Sequence, residues 1–498
     1  MKKILVLTLA LICGLGANAQ RTNWEKLLHN LNSSSKSNGR ELVVTMRMPG
    51  ELAKKLTPQD CETVNFLRVN GPMDKKDLIL ITELARRKET RSREGKMVPA
   101  RIDLDLQNAF IVEESSSFLN SRPKHITVLP ADLFKRAIGL RSIILPNDIV
   151  EVGRNAFTGC SNLEYVYLPD NVRVIARGAF EDDSRLNNVD MPNGIVRIDD
   201  YAFAGCSNLT EIRLPNMLNT IGSYAFSRSG LKFIDLSESV ESIGSSAFAS
   251  TRIQNIYIPS RVKELVASIF SSCGSLKNIE VSPENPAYQS IDGVLFNKEG
   301  NKLLYYPYAR TEAYVVPQGT ESIGTAAFAN SNAESITLPS SCQSIGEEAF
   351  YSSRIKSIDI PEGVVAISKK TFDECGELML ASLPSTLQTI GDEAFRGCKK
   401  LVRIDIPESV TTIGEEAFRA CFAFTEITIP ANVKVVGEKA FYYCKNTQAI
   451  TMLGSVPPAA KKPSNNEKKV KLIVPTGCVD VYKSASGWKD IKKIEEGK

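Results

Sequence analysis

One spacing constrains this chain more than any other feature of its sequence. Thirteen phenylalanines, most of them preceded by alanine, recur every 22 or 23 residues, with a single interval of 58. They are Phe134, Phe157, Phe180, Phe203, Phe226, Phe248, Phe270, Phe328, Phe350, Phe372, Phe395, Phe418 and Phe441. A fixed period of this length is typical of a solenoid, in which each coil buries its apolar face against its neighbours. We call these residues the anchor phenylalanines.

Other positions keep the same register. Eleven residues before each anchor after Phe134 stands proline, in eleven of twelve coils, and five residues before every anchor stands an aliphatic residue. In one coil Val166 and Leu168 alternate with Tyr167, which is the period of a strand with one buried face. Pro169 then ends the hydrogen-bonded ladder, because proline has no N–H to donate.

The end of each coil is predicted to be a turn or a short helix. Residues 178–180 read Gly-Ala-Phe, and the phenylalanine is expected to fill the core. In other coils a glycine follows the aliphatic residue directly, as at Gly222, Gly244 and Gly414. We interpret these glycines as sites of a backbone bend, which glycine adopts at low cost.

The repeat resembles a known family. Residues 401–421 read LVRIDIPESVTTIGEEAFRAC, which is similar to the BspA-like leucine-rich repeats of gut and oral bacteria. The resemblance covers residues 126–453 and implies a β-rich leucine-rich-repeat solenoid of the α/β repeat class, with 22–23-residue coils and short helical turns. Residues 62–112 resemble the divergent first repeat of the family, and residues 454–494 resemble its C-terminal closing unit.

The resemblance and the pattern of the first residues together predict four segments. Residues 1–19 are predicted to be a signal peptide, residues 20–125 an N-terminal cap with a divergent first repeat, residues 126–453 the solenoid, and residues 454–498 a C-terminal capping unit. Lys2 and Lys3 precede an apolar stretch, and Ala17-Asn18-Ala19 is typical of a cleavage site. We therefore expect export, with the cell surface, secretion and the periplasm left open, and no transmembrane segment.

The long interval between anchors predicts one expanded coil, at residues 281–317. Asp292-Gly293 is a turn signal, and residues 297–301 predict a second turn, so we expect a β-hairpin here. The segment is rich in aromatic residues, among them Tyr305 and Tyr306. Two interpretations are open: a platform on which sugar rings stack, or a local core under a long loop, which is the commoner arrangement.

Seven cysteines stand three residues after an anchor: Cys160, Cys206, Cys273, Cys375, Cys398, Cys421 and Cys444. Secreted chains commonly pair their cysteines. Here the cysteines are repeat equivalents whose side chains point inward in parallel, and a disulfide needs a dihedral angle near 90°. We therefore predict a column of small buried residues with free thiols.

The sequence contains no recognisable catalytic constellation. The two histidines, His29 and His125, lack a metal-ligand spacing, and phosphate-binding and nucleophile motifs are absent. Asp103 and Asp105 alternate along a predicted strand, which favours an exposed carboxylate pair over a metal site. The net charge of +4 is too small to favour nucleic acid. We predict a protein that is not an enzyme and that has no cofactor and no metal.

Family resemblance implies a secreted or surface protein, since some members are adhesins that bind host extracellular proteins. We therefore predict binding of a protein, either a host extracellular matrix component or another envelope protein, through the exposed face of the long sheet. A glycan-binding module of the envelope is the alternative, which the scarcity of tryptophan disfavours. The candidate residues lie in the N-terminal half of the sheet: Tyr165, Tyr167, Asp190, Arg213, Phe233, Asp235, Tyr257 and Glu280.

These candidates stand out because of their charge and residue type. The residues between the two inward positions of each strand include five acids and one base, and like charges on neighbouring strands repel. Lysines three positions earlier, such as Lys232 and Lys277, soften that repulsion and leave open a solvated face with no ligand. Tyrosine and arginine are enriched at protein-binding hot spots, which favours a binding role.

Overall fold

A computed structural model describes residues 40–91, 97–113, 124–465 and 469–497. The chain divides into two units, Met1–Pro192 and Asn193–Lys498. The predicted signal peptide lies outside the described residues.

The first unit combines the N-terminal segment with the first coils of the repeat. The helices in its described residues are α1 (Leu52–Lys55), α2 (Pro58–Thr63) and α3 (Lys75–Arg86). Its strands are β1 (Arg40–Thr45), β2 (Val64–Met73), β3 (Glu89–Arg91), β4 (Met97–Pro99), β5 (Ile102–Asp105), β6 (Ala109–Val112), β7 (His125–Ile126), β8 (Val128–Leu129), β9 (Leu140–Ile144), β10 (Glu151–Val152), β11 (Tyr165–Tyr167), β12 (Val174–Ile175) and β13 (Asn188–Asp190).

Residues that precede the regular repeat continue its main sheet. Strands β13, β11, β9, β5 and β2 are neighbours in that order, and β1 pairs with β2. All of these pairings are parallel. A second, narrower sheet has the order β12, β10, β8. Helix α3 begins at Asp74, whose carboxylate accepts the N–H groups of Lys76 and Asp77, a cap that satisfies the free donors of a first turn.

The second unit holds the remaining coils. Its strands are β14 (Arg197–Ile198), β15 (Thr220–Ile221), β16 (Ser242–Ile243), β17 (Asn255–Ile258), β18 (Asn278–Val281), β19 (Tyr288–Ile291), β20 (Val294–Asn297), β21 (Lys302–Tyr305), β22 (Tyr314–Val315), β23 (Ser322–Ile323), β24 (Ile336–Thr337), β25 (Ser344–Ile345), β26 (Ser357–Asp359), β27 (Ala366–Ile367), β28 (Leu380–Ser382), β29 (Thr389–Ile390), β30 (Thr412–Ile413), β31 (Glu426–Ile429), β32 (Val435–Val436), β33 (Ala449–Met452), β34 (Ala459–Ala460), β35 (Lys471–Val474) and β36 (Lys493–Glu496). One 3₁₀ helix covers Ala267–Phe270, and helix α4 covers Val479–Ser484.

Pairing in the second unit is parallel between coils and antiparallel only within the segment of the long anchor interval. Strands β27, β29, β30, β32 and β34 form one parallel ladder, and β31, β33, β35 and β36 form another. Strand β20 pairs antiparallel with both β19 and β21.

The anchor phenylalanines are the core of every coil. Each is at most 3% exposed, and neighbouring rings stack along the solenoid of each unit. Phe395 lies with its ring centroid 5.1 Å from that of Phe372 and 5.4 Å from that of Phe418. Burial of a continuous apolar stack is what allows coils of this length to fold, because a single coil cannot bury enough surface alone. The predicted solenoid is confirmed.

The turn around each anchor differs in detail from the expectation. Except at Ala267–Phe270 it is a turn and not a short helix. The residues two before and two after the anchor adopt positive φ, as at Glu393 (54°) and Gly397 (71°) around Phe395. In this turn the anchor N–H is donated to the next coil, and that of Phe395 donates to the Ala417 carbonyl at 2.7 Å. No sequence pattern indicates this backbone, because the two positions hold many residue types.

Close approach of two coils, and not a backbone bend, accounts for the glycine at position 414. Its φ is not positive, and a Cβ there would lie 2.5 Å from the Asp392 nitrogen and 2.5 Å from the Gly391 carbonyl carbon. Ala176 and Ser368 occupy the equivalent position in other coils. Some coils thus accommodate a side chain at this position, whereas a Cβ at Gly222 or Gly414 would lie 2.5 Å or less from the backbone of the preceding coil.

We expect Gly414→Ala to destabilise the chain by about 1–3 kcal/mol, because the added methyl group overlaps backbone that is held by the solenoid. Gly376→Ala is the matched control, since a Cβ at Gly376 meets nothing within 4 Å. Urea denaturation of both variants measures the difference. Equal midpoints for the two variants would contradict the close approach.

The described cysteines are free, as predicted, and the columnar ones are buried. Their placement has a cause beyond small size. Six of the seven thiols lie within 2.9–3.2 Å of the carbonyl oxygen of the anchor phenylalanine one coil earlier, as for Cys375 and Phe350. Each of these thiols therefore donates a hydrogen bond to its neighbouring coil while filling the core.

Candidate binding surface

The predicted binding residues lie on the face of the main sheets that points away from the core. In the first unit β11 places Tyr165 opposite Asn188 of β13 and Tyr167 opposite Asp190. Val166 between the tyrosines is fully buried, whereas both tyrosines and Asp190 are half-buried. The period-two prediction of which residues face outward is therefore correct in these coils.

In the second unit β17 and β18 bring two of the candidates together. Their register places Tyr257 directly opposite Glu280, and Asn255 opposite Asn278. The Asn278 amide donates to the Asn255 side-chain oxygen at 3.0 Å, so this pair is fixed. Residues opposite one another on adjacent strands lie about 5 Å apart, which makes Tyr257 and Glu280 a single surface feature.

The other three candidates differ from the prediction in one respect. Arg213, Phe233 and Asp235 lie on segments that form no regular strand, although the sequence predicts one. The coils are still adjacent, since the Lys232 N–H donates to the Thr210 carbonyl at 2.9 Å. The hydrogen bonds between these coils are too few to form a ladder, but Ile212 and Ile234 still point inward and the candidates outward.

Exposure and missing partners distinguish these side chains. Phe233 is 58% exposed, and Arg213, Asp235 and Glu280 are also exposed. Among the described residues none of these three charged groups has an ion pair or a side-chain hydrogen bond. Elsewhere on the same face Arg403 pairs with Asp405 at 2.7 Å. This stretch therefore combines unpaired charge with an exposed aromatic ring.

Tyr257 lies among carboxylates from neighbouring coils. Partial burial raises the pKa of Tyr257, a hydrogen bond with Ser282 opposes this, and Glu238 and Glu284 raise it again. Glu238 is held by the N–H and the hydroxyl of Ser260, both at 3.1 Å. The Tyr257 hydroxyl is therefore a neutral hydrogen-bond donor in an electronegative environment.

The antiparallel segment ends this surface on one side. The Ile279 N–H of β18 donates to the Gly293 carbonyl at 2.9 Å, which places the turn between β19 and β20 against β18. Asp292 in this turn pairs with Arg310 at 2.7 Å. The surface from Arg213 to Glu280 is thus bounded by this turn at its Glu280 end.

The aromatic cluster in the long interval between Phe270 and Phe328 is a local core. Phe296, Tyr305, Tyr306 and Tyr314 are each at most 6% exposed. The Arg310 guanidinium lies 5.7 Å from the ring centroids of both Tyr306 and Tyr314 and covers them. Burial of these rings removes the sugar-stacking platform, and with it the idea that Tyr305 and Tyr306 form a second binding site.

The prediction of an exposed carboxylate pair at Asp103 and Asp105 is wrong. Both residues are 4% exposed. Arg141 pairs with Asp103, Ser142 donates to Asp103 at 2.6 Å, and Arg68 pairs with Asp105 at 2.8 Å. These partners lie on adjacent strands but far away in sequence, so the strand pattern alone did not indicate them. Buried carboxylates with arginine partners are structural here.

Nothing in the described ranges resembles a catalytic or metal centre. No group of three or more potential metal ligands occurs among the residues described. Burial raises the pKa of the Cys375 and Cys444 thiols to about 12, so these two thiols are protonated at neutral pH and are poor nucleophiles. No helix in the described part of the chain has the length and apolar character needed to cross a membrane.

Sequence reasoning missed an apolar group on the same face of the second unit. Met379, Leu380 and Val402 are 46%, 53% and 56% exposed. Leu380 is an outward residue of β28, Met379 directly precedes it, and Val402 lies in the next coil, where its N–H donates to the Met379 carbonyl at 3.3 Å. The outward columns of the repeat, read for apolar residues as well as for charge, would have shown them. They provide a control surface for the experiments below.

Comparisons with known proteins agree with this fold. A family model described as "BspA type Leucine rich repeat region (6 copies)" matches residues 114–209, 196–305, 300–421 and 365–462. A comparison with curated protein sequences finds no significant match.

Several solved structures are similar. A leucine-rich repeat protein from Bacteroides ovatus has 23% identity and a TM-score of 0.51, covering 77% of this chain and 97% of its own. A leucine-rich cell surface protein from Faecalibacterium prausnitzii has 26% identity and a TM-score of 0.52, covering 74% and 93%. The pneumococcal vaccine antigen PcpA has 24% identity and a TM-score of 0.54, covering 72% and 89%.

Proposed function

The chain belongs to the BspA-type leucine-rich repeat family, and from this membership we propose that it is an exported protein that binds another protein through the outward sheet face. A leucine-rich repeat solenoid is a general scaffold for protein interaction, and no enzyme family is indicated by the similar proteins. The proposal includes export through the signal peptide at residues 1–19, and a position at the cell surface, in the medium or in the periplasm.

One observation supports the proposal most. Phe233 is 58% exposed in the same coil as Asp235, and Arg213, Asp235 and Glu280 in this stretch are charged groups without partners in the described structure. A side chain of that size exposed to water among unpaired charges contributes little to folding. Buried against a partner, aromatic and arginine side chains supply a large share of the binding energy of protein interfaces. The partner class we propose is a host extracellular matrix protein or another envelope protein.

The glycan alternative has lost its main support. It required exposed aromatic rings on which sugars could stack, and the richest aromatic cluster of the sequence is buried. Tyr165 and Tyr167 are half-buried among neighbouring strands of the first unit. A glycan array probed with the purified chain tests this alternative, and specific sugar binding would favour it over a protein partner.

The test of the proposal removes aromatic side chains from the outward face. We expect the triple variant Tyr167→Ala, Phe233→Ala and Tyr257→Ala to bind a partner identified by cross-linking at least about 30-fold more weakly, since one hot-spot residue is worth about 2 kcal/mol. The dissociation constant is measured by titration calorimetry. The charges near this surface should also make association weaker at high salt.

The matched control is Leu380→Ala with Val402→Ala, which removes exposed apolar groups from the other end of the face. This control should keep the affinity of the unaltered chain. An unchanged affinity of the folded triple variant would place the binding site elsewhere. Circular dichroism of all variants establishes that they are folded.

A further inference from the structure

The surface between Arg213 and Glu280 carries its charges in separate rows. Asp235 and Glu280 lie in the same outward row as Tyr257, two coils apart. Lys232 and Lys277 lie three residues earlier in their coils, which is roughly 10 Å away along an extended backbone. No ion pair in the described structure joins either lysine to Asp235 or Glu280, so both carboxylates are available to a partner.

More negative groups reinforce the acidic row. Glu238 and Glu284 both act on the Tyr257 hydroxyl from neighbouring coils. Glu238 is already fixed by Ser260, and Glu284 is exposed. Charge complementarity therefore points to a cationic occupant, and the neighbouring phenol and Phe233 ring favour one with apolar or aliphatic stems, as lysine and arginine side chains have.

The length of the surface limits the occupant to a short segment. Neighbouring coils are about 4.8 Å apart, so Asp235 and Glu280 are separated by roughly 10 Å. Beyond Glu280 stands the turn containing Asp292 and Gly293, and on the other side Arg213 would repel a cation. Ile256 and Ile279 lie in coils that have neighbours on both sides, so their backbone N–H groups are not at a free sheet edge. A partner therefore cannot bind by adding a strand, and it must bind through side-chain contacts.

We propose that this surface binds a basic segment of a protein partner, a proposal that rests on the proposed function. Two lysine or arginine side chains of the segment, about 10 Å apart, contact Asp235 and Glu280. An apolar side chain of the same segment packs on Phe233 and Tyr257. Two geometries give that spacing on one side of a segment. In a polyproline-type chain, residues three apart in sequence are separated by about this distance, at about 3.1 Å per residue. On an α-helix, residues seven apart in sequence are separated by about this distance, at about 1.5 Å per residue.

A random peptide library displayed on phage and selected on the immobilised full chain tests the proposal. We expect selected peptides to be enriched in lysine and arginine at one of these spacings and to bind at least 10-fold more weakly to Asp235→Lys with Glu280→Lys. Selection on that charge-reversed variant should instead enrich aspartate and glutamate. The control variant is Asp359→Lys with Asp405→Lys, which reverses charges of the same row farther along the unit and should leave the basic selection unchanged.

The variant Phe233→Ala with Tyr257→Ala distinguishes a failure of the basic-segment proposal from a failure of the proposed function. Peptides that need Phe233 and Tyr257 but show no basic enrichment and no response to charge reversal would overturn the basic segment and leave the proposed function standing. Peptides that respond equally to the control reversal would show general charge attraction and would overturn the specific segment. The absence of any selected peptide would overturn it too, while binding that ignores the aromatic residues would contradict the proposed face as well.

Discussion

Phe395→Ala is expected to lower the stability of the chain by about 3–5 kcal/mol, the usual cost of emptying a packed aromatic site. Phe395 is fully buried and stacks on Phe372 on one side and on Phe418 on the other. Truncation therefore removes contacts with both neighbouring coils and also leaves a cavity that the turn cannot fill. Because each coil of a solenoid is held by its neighbours, an interior coil has two interfaces to lose.

Phe134→Ala is the matched variant, because Phe134 is also fully buried but the ring stack described for it reaches only Phe157, at 5.3 Å. Its denaturant midpoint should fall clearly less than that of Phe395→Ala. Chemical denaturation followed by far-ultraviolet circular dichroism measures both midpoints. Small and equal shifts would contradict the register of the solenoid.

Much of the fold could be predicted from the sequence, because each repeat places its buried residues at the same positions. The spacing of Phe395, Phe418 and Phe441 and of the prolines eleven residues earlier is sufficient to place the core and the outward row. The turns were not predictable to the same degree. Positive φ occurs at residues as different as Tyr224, Glu348 and Lys439, so the hydrogen bonds between coils impose that backbone and the residue type does not report it.

The candidate surface was also predictable only in part. Alternation along a strand correctly placed Tyr257 and Glu280 outward, since that follows from local geometry. It misjudged Asp103, whose partner Arg141 lies 38 residues away and meets it only after the strands pair. Exposure of Phe233 and the missing partners of Asp235 are likewise properties of the assembled coils, and no local pattern contains them.

Alkaline pH is expected to destabilise the chain through its buried thiols. An ordinary cysteine has a pKa of about 8.5, whereas burial raises the pKa of Cys375 and of Cys444 to about 12. Between these values the unfolded chain loses the thiol protons and the folded chain keeps them. The stabilisation is therefore fully present below about pH 8.5 and falls by about 1.4 kcal/mol per pH unit for each such thiol until the pH passes the pKa of the folded state.

The double variant Cys375→Ala and Cys444→Ala isolates this effect, since the free energy of unfolding should fall with pH by about 2.7 kcal/mol per unit less than in the unaltered chain. Val433→Ala is the control, because it empties a buried apolar position of the same unit and removes no titrating group. Urea denaturation between about pH 9 and pH 10.5, with reductant present, gives the slopes. The control should be less stable at every pH but parallel to the unaltered chain. If the double variant were parallel too, the thiols would have to ionise within the folded core, and the hydrogen bonds they donate to the anchor carbonyls would not hold their protons.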